Sequence, residues 1–352
     1  LGERVVLFHR KDDLEILDCL DAETGQTLWS FDSPATYQCP FAHSSGPYSA
    51  PVLEAGRVYA VGAAGQMYCL SLEDGSEIWH RDLHGDYEVE IEVWPAAASP
   101  LLEDDRLIVN VGGRKTGAGI VALDKTTGET LWKATDDGAS CSTPVAGTIH
   151  DRRIAFVWTA DALTAVDPAD GNVYWQIPFC AKNYEAAHGT SPLVVDDIVF
   201  ISGYQLGNLC VRVLPDGGYE ELWRNKRKLL DSQYTSLIHL DGNVMGFSAV
   251  WRSCRCLKIE TGELQWKWRS RLRAATTIAV DGGYLMFDST GRLASVRITP
   301  EGVEEIAMTR RPILAPPAMS YPALHNGLLY LRNEEEMVCL DLRRAAEGEP
   351  AE

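Results

Sequence analysis

The 352-residue chain has no apolar run approaching the length of about 18 residues needed to span a bilayer as a helix. It is short of positive charge: 32 Lys and Arg stand against 50 Asp and Glu, a net −18. That balance argues against nucleic acid or an anionic membrane as a partner held by bulk electrostatics. The chain has no HExxH zinc motif, no GxSxG nucleophile elbow and no Walker loop. "GGRKTGAG" (112–119) holds Gly and Lys without the required spacing or strand-to-helix setting. No two of the nine cysteines are adjacent, and the odd number leaves at least one without an intrachain partner. The basic stretches "RNKRK" (224–228) and "RSRLR" (269–273) read as solvated loops or local patches.

What the chain has in abundance is one ten-residue phrase. "LDAETGQTLW" (20–29) returns as "LSLEDGSEIW" (70–79), "LDKTTGETLW" (123–132), "VDPADGNVYW" (166–175) and "LKIETGELQW" (257–266). Weaker copies are "RVLPDGGYEELW" (212–223) and "VRITPEGVEEI" (296–306). Each reads as a hairpin: a strand end, a turn capped by Asp, a left-handed Gly, and a second strand that buries a Trp. The turn glycines, Gly25, Gly75, Gly128, Gly171, Gly217, Gly262 and Gly302, lie 50, 53, 43, 46, 45 and 40 residues apart. A period of that size means a solenoid, propeller or array.

Between copies lie further β-rich runs such as "APVLEAGRVYAVG" and "SPLVVDDIVFISG". Each unit is therefore four antiparallel strands, A to D, with the repeated phrase as the C–D hairpin, the pattern of a propeller blade. The chain opens on a strand B ("ERVVLFHR") and its last unit ("YPALHNGLLYLRNEEEMVCLDLRR") stops after strand C. The reading is all-β: one eight-bladed β-propeller over 1–344, first and last blades each one strand short, with a disordered acidic tail at 345–352. A D strand for blade 8 and an A strand for blade 1 are expected upstream of Leu1, about 20 to 40 residues judged from the repeat length. Cys19, Cys69, Cys210, Cys256 and Cys339 share a strand-C register and read as buried packing residues. Cys254 and Cys256 point to one face of a strand and are open to metal or redox chemistry as well as packing.

The phrase "LDxxTGxxLW" resembles the tryptophan-docked repeat of the pyrroloquinoline-quinone (PQQ) type propellers, which include quinoprotein alcohol dehydrogenases and BamB-type outer-membrane assembly lipoproteins. "IVNVGGRKTGAGIVALD" (108–124) and "YLRNEEEMVCLDLR" (330–343) carry the same likeness. The resemblance implies that Trp29, Trp79, Trp132, Trp175, Trp223 and Trp266 dock neighbouring blades, with Ile306 a departure. It also implies a periplasmic or cell-envelope location. In the dehydrogenases of this family a quinone and a Ca²⁺ or lanthanide sit in the axial funnel; here no cysteine pair is adjacent and no ligand set is recognisable by motif.

The expected role is a non-catalytic binding or scaffold module with a protein or envelope partner, plausibly monomeric, without nucleic acid and without a cofactor. The alternatives are a PQQ-dependent oxidoreductase with Ca²⁺ or a lanthanide, and a sensor ectodomain of a larger protein. A partner is expected on the face formed by the D–A and B–C connections. The D–A connections offer Tyr37, His43, Tyr48, Tyr87, Trp94, Tyr184 and His188, and the B–C loops offer Arg114, Lys115, Tyr204, Trp251, Arg252, Arg332 and Asn333. Read singly, each is better taken as a loop residue packed on its neighbour; it is the set that points to binding. His80 and His84 fall at a strand-D end and the loop after it, a poor setting for a shared metal. The Ser/Thr-rich starts of the A strands are expected to bond exposed backbone groups.

Overall fold

A computed structural model describes residues 2–40, 44–91, 95, 98–180, 188–225, 229–248 and 252–343. The sheet order gives eight separate antiparallel meanders, and the fold is an eight-bladed β-propeller whose first and last blades have three strands. The chain falls into two compact units, residues 1–233 with blades 1 to 5 and residues 234–352 with blades 6 to 8. Blade 1 pairs Arg4–Lys11, Leu14–Asp21 and Thr27–Pro34 as B, C and D; blade 8 pairs Ala323–His325, Leu328–Arg332 and Met337–Asp341 as A, B and C. Helix is confined, among the described residues, to Leu83–Asp86 and a 3₁₀ turn at Arg114–Thr116.

Each repeated turn closes with the Gly amide donating to the carbonyl four residues back: Gly25 to Asp21, Gly75 to Ser71, Gly128 to Asp124, Gly171 to Asp167 and Gly262 to Lys258, at 2.8–2.9 Å. These glycines have φ between +69 and +77°, where an L side chain is strained. The Asp21 carboxylate accepts from the Thr24 amide at 2.8 Å and from its hydroxyl at 2.7 Å, which holds it below its usual value.

The Trp of each hairpin then reaches into the next blade. Trp29 Nε1 donates to Leu72 O at 3.0 Å, Trp79 to Lys125 O at 3.1 Å and Trp132 to Pro168 O at 3.1 Å. The same indoles lie flat against the next turn glycine: a Cβ on Gly75, Gly128 or Gly171 would stand 2.6–2.8 Å from Trp29, Trp79 or Trp132. Gly and Trp thus recur together because one blade's glycine is the floor for its neighbour's indole. In blade 5 the turn is tighter, with Gly217 donating to Leu214 O three residues back. Gly217 meets Arg152 instead of an indole, and Trp175 Nε1 is buried with no partner while its ring packs on Tyr219 at 5.1 Å. A second staple, an arginine opening strand B, recurs beside it. Arg4 donates to Leu72 O and Glu73 O, and Arg57 to Lys125 O and Thr126 O.

Hydrophobic clusters lie between consecutive blades of each unit. One such layer joins Leu17, Cys19 and Trp29 of blade 1 to Val58, Ala60 and Leu70 of blade 2. The strand-C cysteines Cys19, Cys69, Cys210 and Cys256 pair directly with Trp29, Trp79, Trp223 and Trp266 and are fully buried. Cys339, read from its register as buried, is exposed: blade 8 has no D strand among the described residues to lay an indole over it. Cys254 and Cys256 are both buried, and burial pushes their thiols up, that of Cys256 to about 11.

Candidate functional site

Antiparallel strands place the D–A and B–C connections on one face of each blade. In unit 1 the hydroxyls before strand A serve backbone geometry. Ser49 Oγ donates to Val61 O at 2.6 Å and Thr190 Oγ1 to Ser202 O at 2.7 Å, each tying the start of strand A to the end of strand B in its own blade. In blade 4 that acceptor, Trp158 O, is taken at 2.5 Å by Ser140, and Ser142 Oγ is buried without a partner.

The most developed polar arrangement lies where the loops of blades 3, 4 and 5 meet. His188 stacks on the fully buried Trp158, with centroids 4.4 Å apart and planes at 10°. Its Nδ1 lies 2.9 Å from Thr159 O; a carbonyl only accepts, so Nδ1 carries the proton and Nε2 presents a lone pair. That Nε2 is buried and unpartnered, and burial lowers the imidazole below its ordinary value. Trp158 is anchored by its own Nε1, which donates to Phe179 O at 3.0 Å. Alongside, Asp137 accepts from Thr159 Oγ1 and Gln176 Nε2, each at 3.0 Å, and burial raises its carboxyl against the lowering effect of the Thr159 bond. Arg114 pairs with Asp161 at 2.8 Å at the half-exposed rim.

The structure therefore brings together Arg114 and His188 of the expected face and adds Trp158, Asp137, Asp161 and Gln176, which the sequence reading missed. Tyr37 and Tyr48 form a second group on the same face of unit 1. Their rings meet edge-on at 6.3 Å, the Tyr48 hydroxyl donates to Ser44 O, and burial raises Tyr37 to about 12 and Tyr48 higher still. Lys115 is exposed and pairs with Glu90 at 2.5 Å, and Tyr204 is half-buried.

Tyr87 is not a surface aromatic. The short helix Leu83–Asp86 turns it into the core beside Trp79, with its hydroxyl 2.6 Å from Thr130 Oγ1. His84 lies in that helix, and His80 stacks on Tyr68 at 4.6 Å. In unit 2, Arg252 is exposed, Arg332 is partly buried, and Asn333 caps its own turn by accepting from the Glu335 and Glu336 amides at 2.9 and 2.8 Å. His43, Trp94, Tyr184 and Trp251 lie outside the described residues.

No three His, Cys, Asp or Glu side chains among the described residues form a donor set. Of the buried carboxylates, Glu15 accepts from the Ala63 amide at 2.9 Å, Glu103 pairs with Arg153, Asp231 accepts from the Gln205 amide at 2.6 Å, and Asp288 accepts from the amides of Arg273, Thr290 and Arg292 at 2.8–3.1 Å.

Comparison with solved structures returns the same architecture. BamB from Moraxella catarrhalis superposes with a TM-score of 0.68 at 16% identity, over 96% of this chain and 93% of that one. A computationally designed protein, Ika8, gives 0.64 at 11% identity over 96% of each chain. Quinohemoprotein alcohol dehydrogenase from Comamonas testosteroni gives 0.59 at 12% identity, over 94% of this chain but 70% of the enzyme. At these identities the likeness is one of fold. No curated protein sequence matches. Residues 13–268 match the profile of the family described as outer membrane protein assembly factor BamB, and the chain belongs to that family of PQQ-like β-propellers.

Proposed function

We propose that this propeller is a non-catalytic binding scaffold of the cell envelope, engaging a protein partner through its D–A and B–C loop face. The family match across residues 13–268 carries the reading, since the family's description is of an assembly factor. The loop face is consistent with it: Arg114, paired with Asp161, and the exposed Lys115, paired with Glu90, are polar groups at the rim, and the Trp158–His188 stack is buried in the same blades' loops. A polar rim beside packed aromatics suits recognition better than chemistry.

Quinone-dependent oxidation is the competing reading, and the fold it shares with an alcohol dehydrogenase is its only support. Two experiments separate them. Titration with pyrroloquinoline quinone and Ca²⁺ should give neither stoichiometric binding nor dye-linked alcohol oxidation. Charge reversal of Arg114 and Lys115 to Glu should abolish capture of the envelope partner while leaving the thermal unfolding profile in place.

A further inference from the structure

In unit 2 the three loops around blade 7 on the loop face carry six arginines. Arg269, Arg271 and Arg273 lie in the connection from blade 6 to blade 7, Arg292 in the B–C loop of blade 7, and Arg310 and Arg311 in the connection from blade 7 to blade 8. Hydrogen bonds join these three loops. Ser289 donates to Arg273 O from its amide at 3.1 Å and its hydroxyl at 3.0 Å, the Ile313 amide donates to Gly291 O at 2.7 Å, and Arg292 Nη1 donates to Arg310 O at 3.1 Å. Arg269, Arg271, Arg273, Arg310 and Arg311 are exposed.

Glu334, Glu335 and Glu336 are exposed nearby in the B–C loop of blade 8, whose Asn333 donates to Ala315 O at 3.0 Å in the connection that carries Arg310 and Arg311, but none of the three forms an ion pair with these arginines among the described residues. Asp288, the carboxylate at the junction of the loops, is fully buried and bonded to backbone amides and the Thr290 hydroxyl. The ion pair within the cluster is that of Arg271 with Glu305 at 3.8 Å. Arg269, Arg273, Arg310 and Arg311 have no ion pair among the described residues. The charge is also unevenly divided: residues 234–352 hold 15 acidic and 14 basic residues, a net −1, whereas residues 1–233 hold 35 and 18, a net −17.

We propose that this cluster is the docking site for an acidic segment of a protein partner, a short stretch of Asp and Glu side chains. The proposal rests on the binding-scaffold reading and names the chemistry of its partner. Guanidinium groups match carboxylates in a two-bond fork and tolerate partial desolvation, so clustered arginines are suited to carboxylate side chains. Exposed charges act over only about 8–10 Å at physiological salt. A short acidic segment can touch the arginines alone.

The test is fluorescence anisotropy with a labelled octaglutamate peptide, run against the intact chain and three variants. Arg310→Ser with Arg311→Ser, and Arg269→Ser with Arg273→Ser, should each weaken binding by roughly tenfold and flatten its salt dependence. Arg297→Ser removes an exposed arginine that pairs with Glu304 on the blade 7 strands and should leave binding unchanged. Absence of octaglutamate binding, or equal loss in the Arg297 variant, would overturn the proposal, as would arginine-dependent binding of phosphatidylglycerol vesicles without octaglutamate binding. If octaglutamate fails while the partner is still captured through Arg114 and Lys115, this proposal falls and the scaffold reading stands. Loss of that capture in the wild-type chain would instead remove the scaffold reading.

Discussion

The tryptophans occupy the same position in sequence and do different things. Trp132 has a hydrogen bond to lose and Trp175 does not. Trp132→Phe should cost about 1 kcal/mol for the lost bond in addition to its packing loss. Trp175→Phe should cost less, since it removes a buried N–H that nothing accepts. Chemical denaturation of the two variants side by side measures the difference. The buried imidazoles give a second residue-scale expectation. His84 and His188 are both held below the ordinary 6.5 by burial. On acidification the unfolded chain takes up these protons first, so the stability they supply is complete above about pH 6.5 and declines as the pH falls below it. His188→Gln keeps an N–H for Thr159 O but cannot titrate, and its melting temperature should fall less steeply between pH 7 and 5 than that of the wild type.

At the scale of the hairpin, turn and neighbour are coupled. Gly25 has φ +70° and nothing within 4 Å of the place an added methyl group would take, whereas Gly128, at φ +75°, lies against Trp79. Gly25→Ala should cost about 1 kcal/mol of backbone strain, and Gly128→Ala should cost more by roughly the loss of a well-packed indole contact, a further 1–3 kcal/mol. Hairpins of this kind were legible in the sequence because their three signals, Asp, Gly and Trp, are local and repeat at a fixed spacing. Tyr87 was not, because a four-residue helix turns an apparent loop aromatic into the core. Nor was the Trp158–His188 stack, whose members come from different elements and follow no period. Cys339 shows the same limit in reverse: its register matched the buried cysteines, but burial depends on a partner strand. Residue-resolved alkylation of the folded protein should label Cys339 and Cys180 first, and Cys19, Cys69, Cys210, Cys254 and Cys256 only on unfolding.

Across the whole molecule, the repeat specifies blades and leaves the loops free to differ. The family profile covers residues 13–268, and the two candidate surfaces, Arg114 with Asp161 in unit 1 and the arginine cluster in unit 2, lie in connections that do not repeat. Only the stretch 269–273 of the arginine cluster was legible in sequence, because Arg310 and Arg311 lie some forty residues further on and reach it only through the stitched loops of blade 7. The scaffold account is tested most directly by photo-crosslinking in the native envelope, with a photoreactive residue placed at Lys115 on the loop face or at Leu131, an exposed position on strand D of blade 3. The account predicts a discrete protein adduct from position 115 and none from 131; equal labelling from both, or no adduct from 115 together with quinone-dependent turnover, would contradict it.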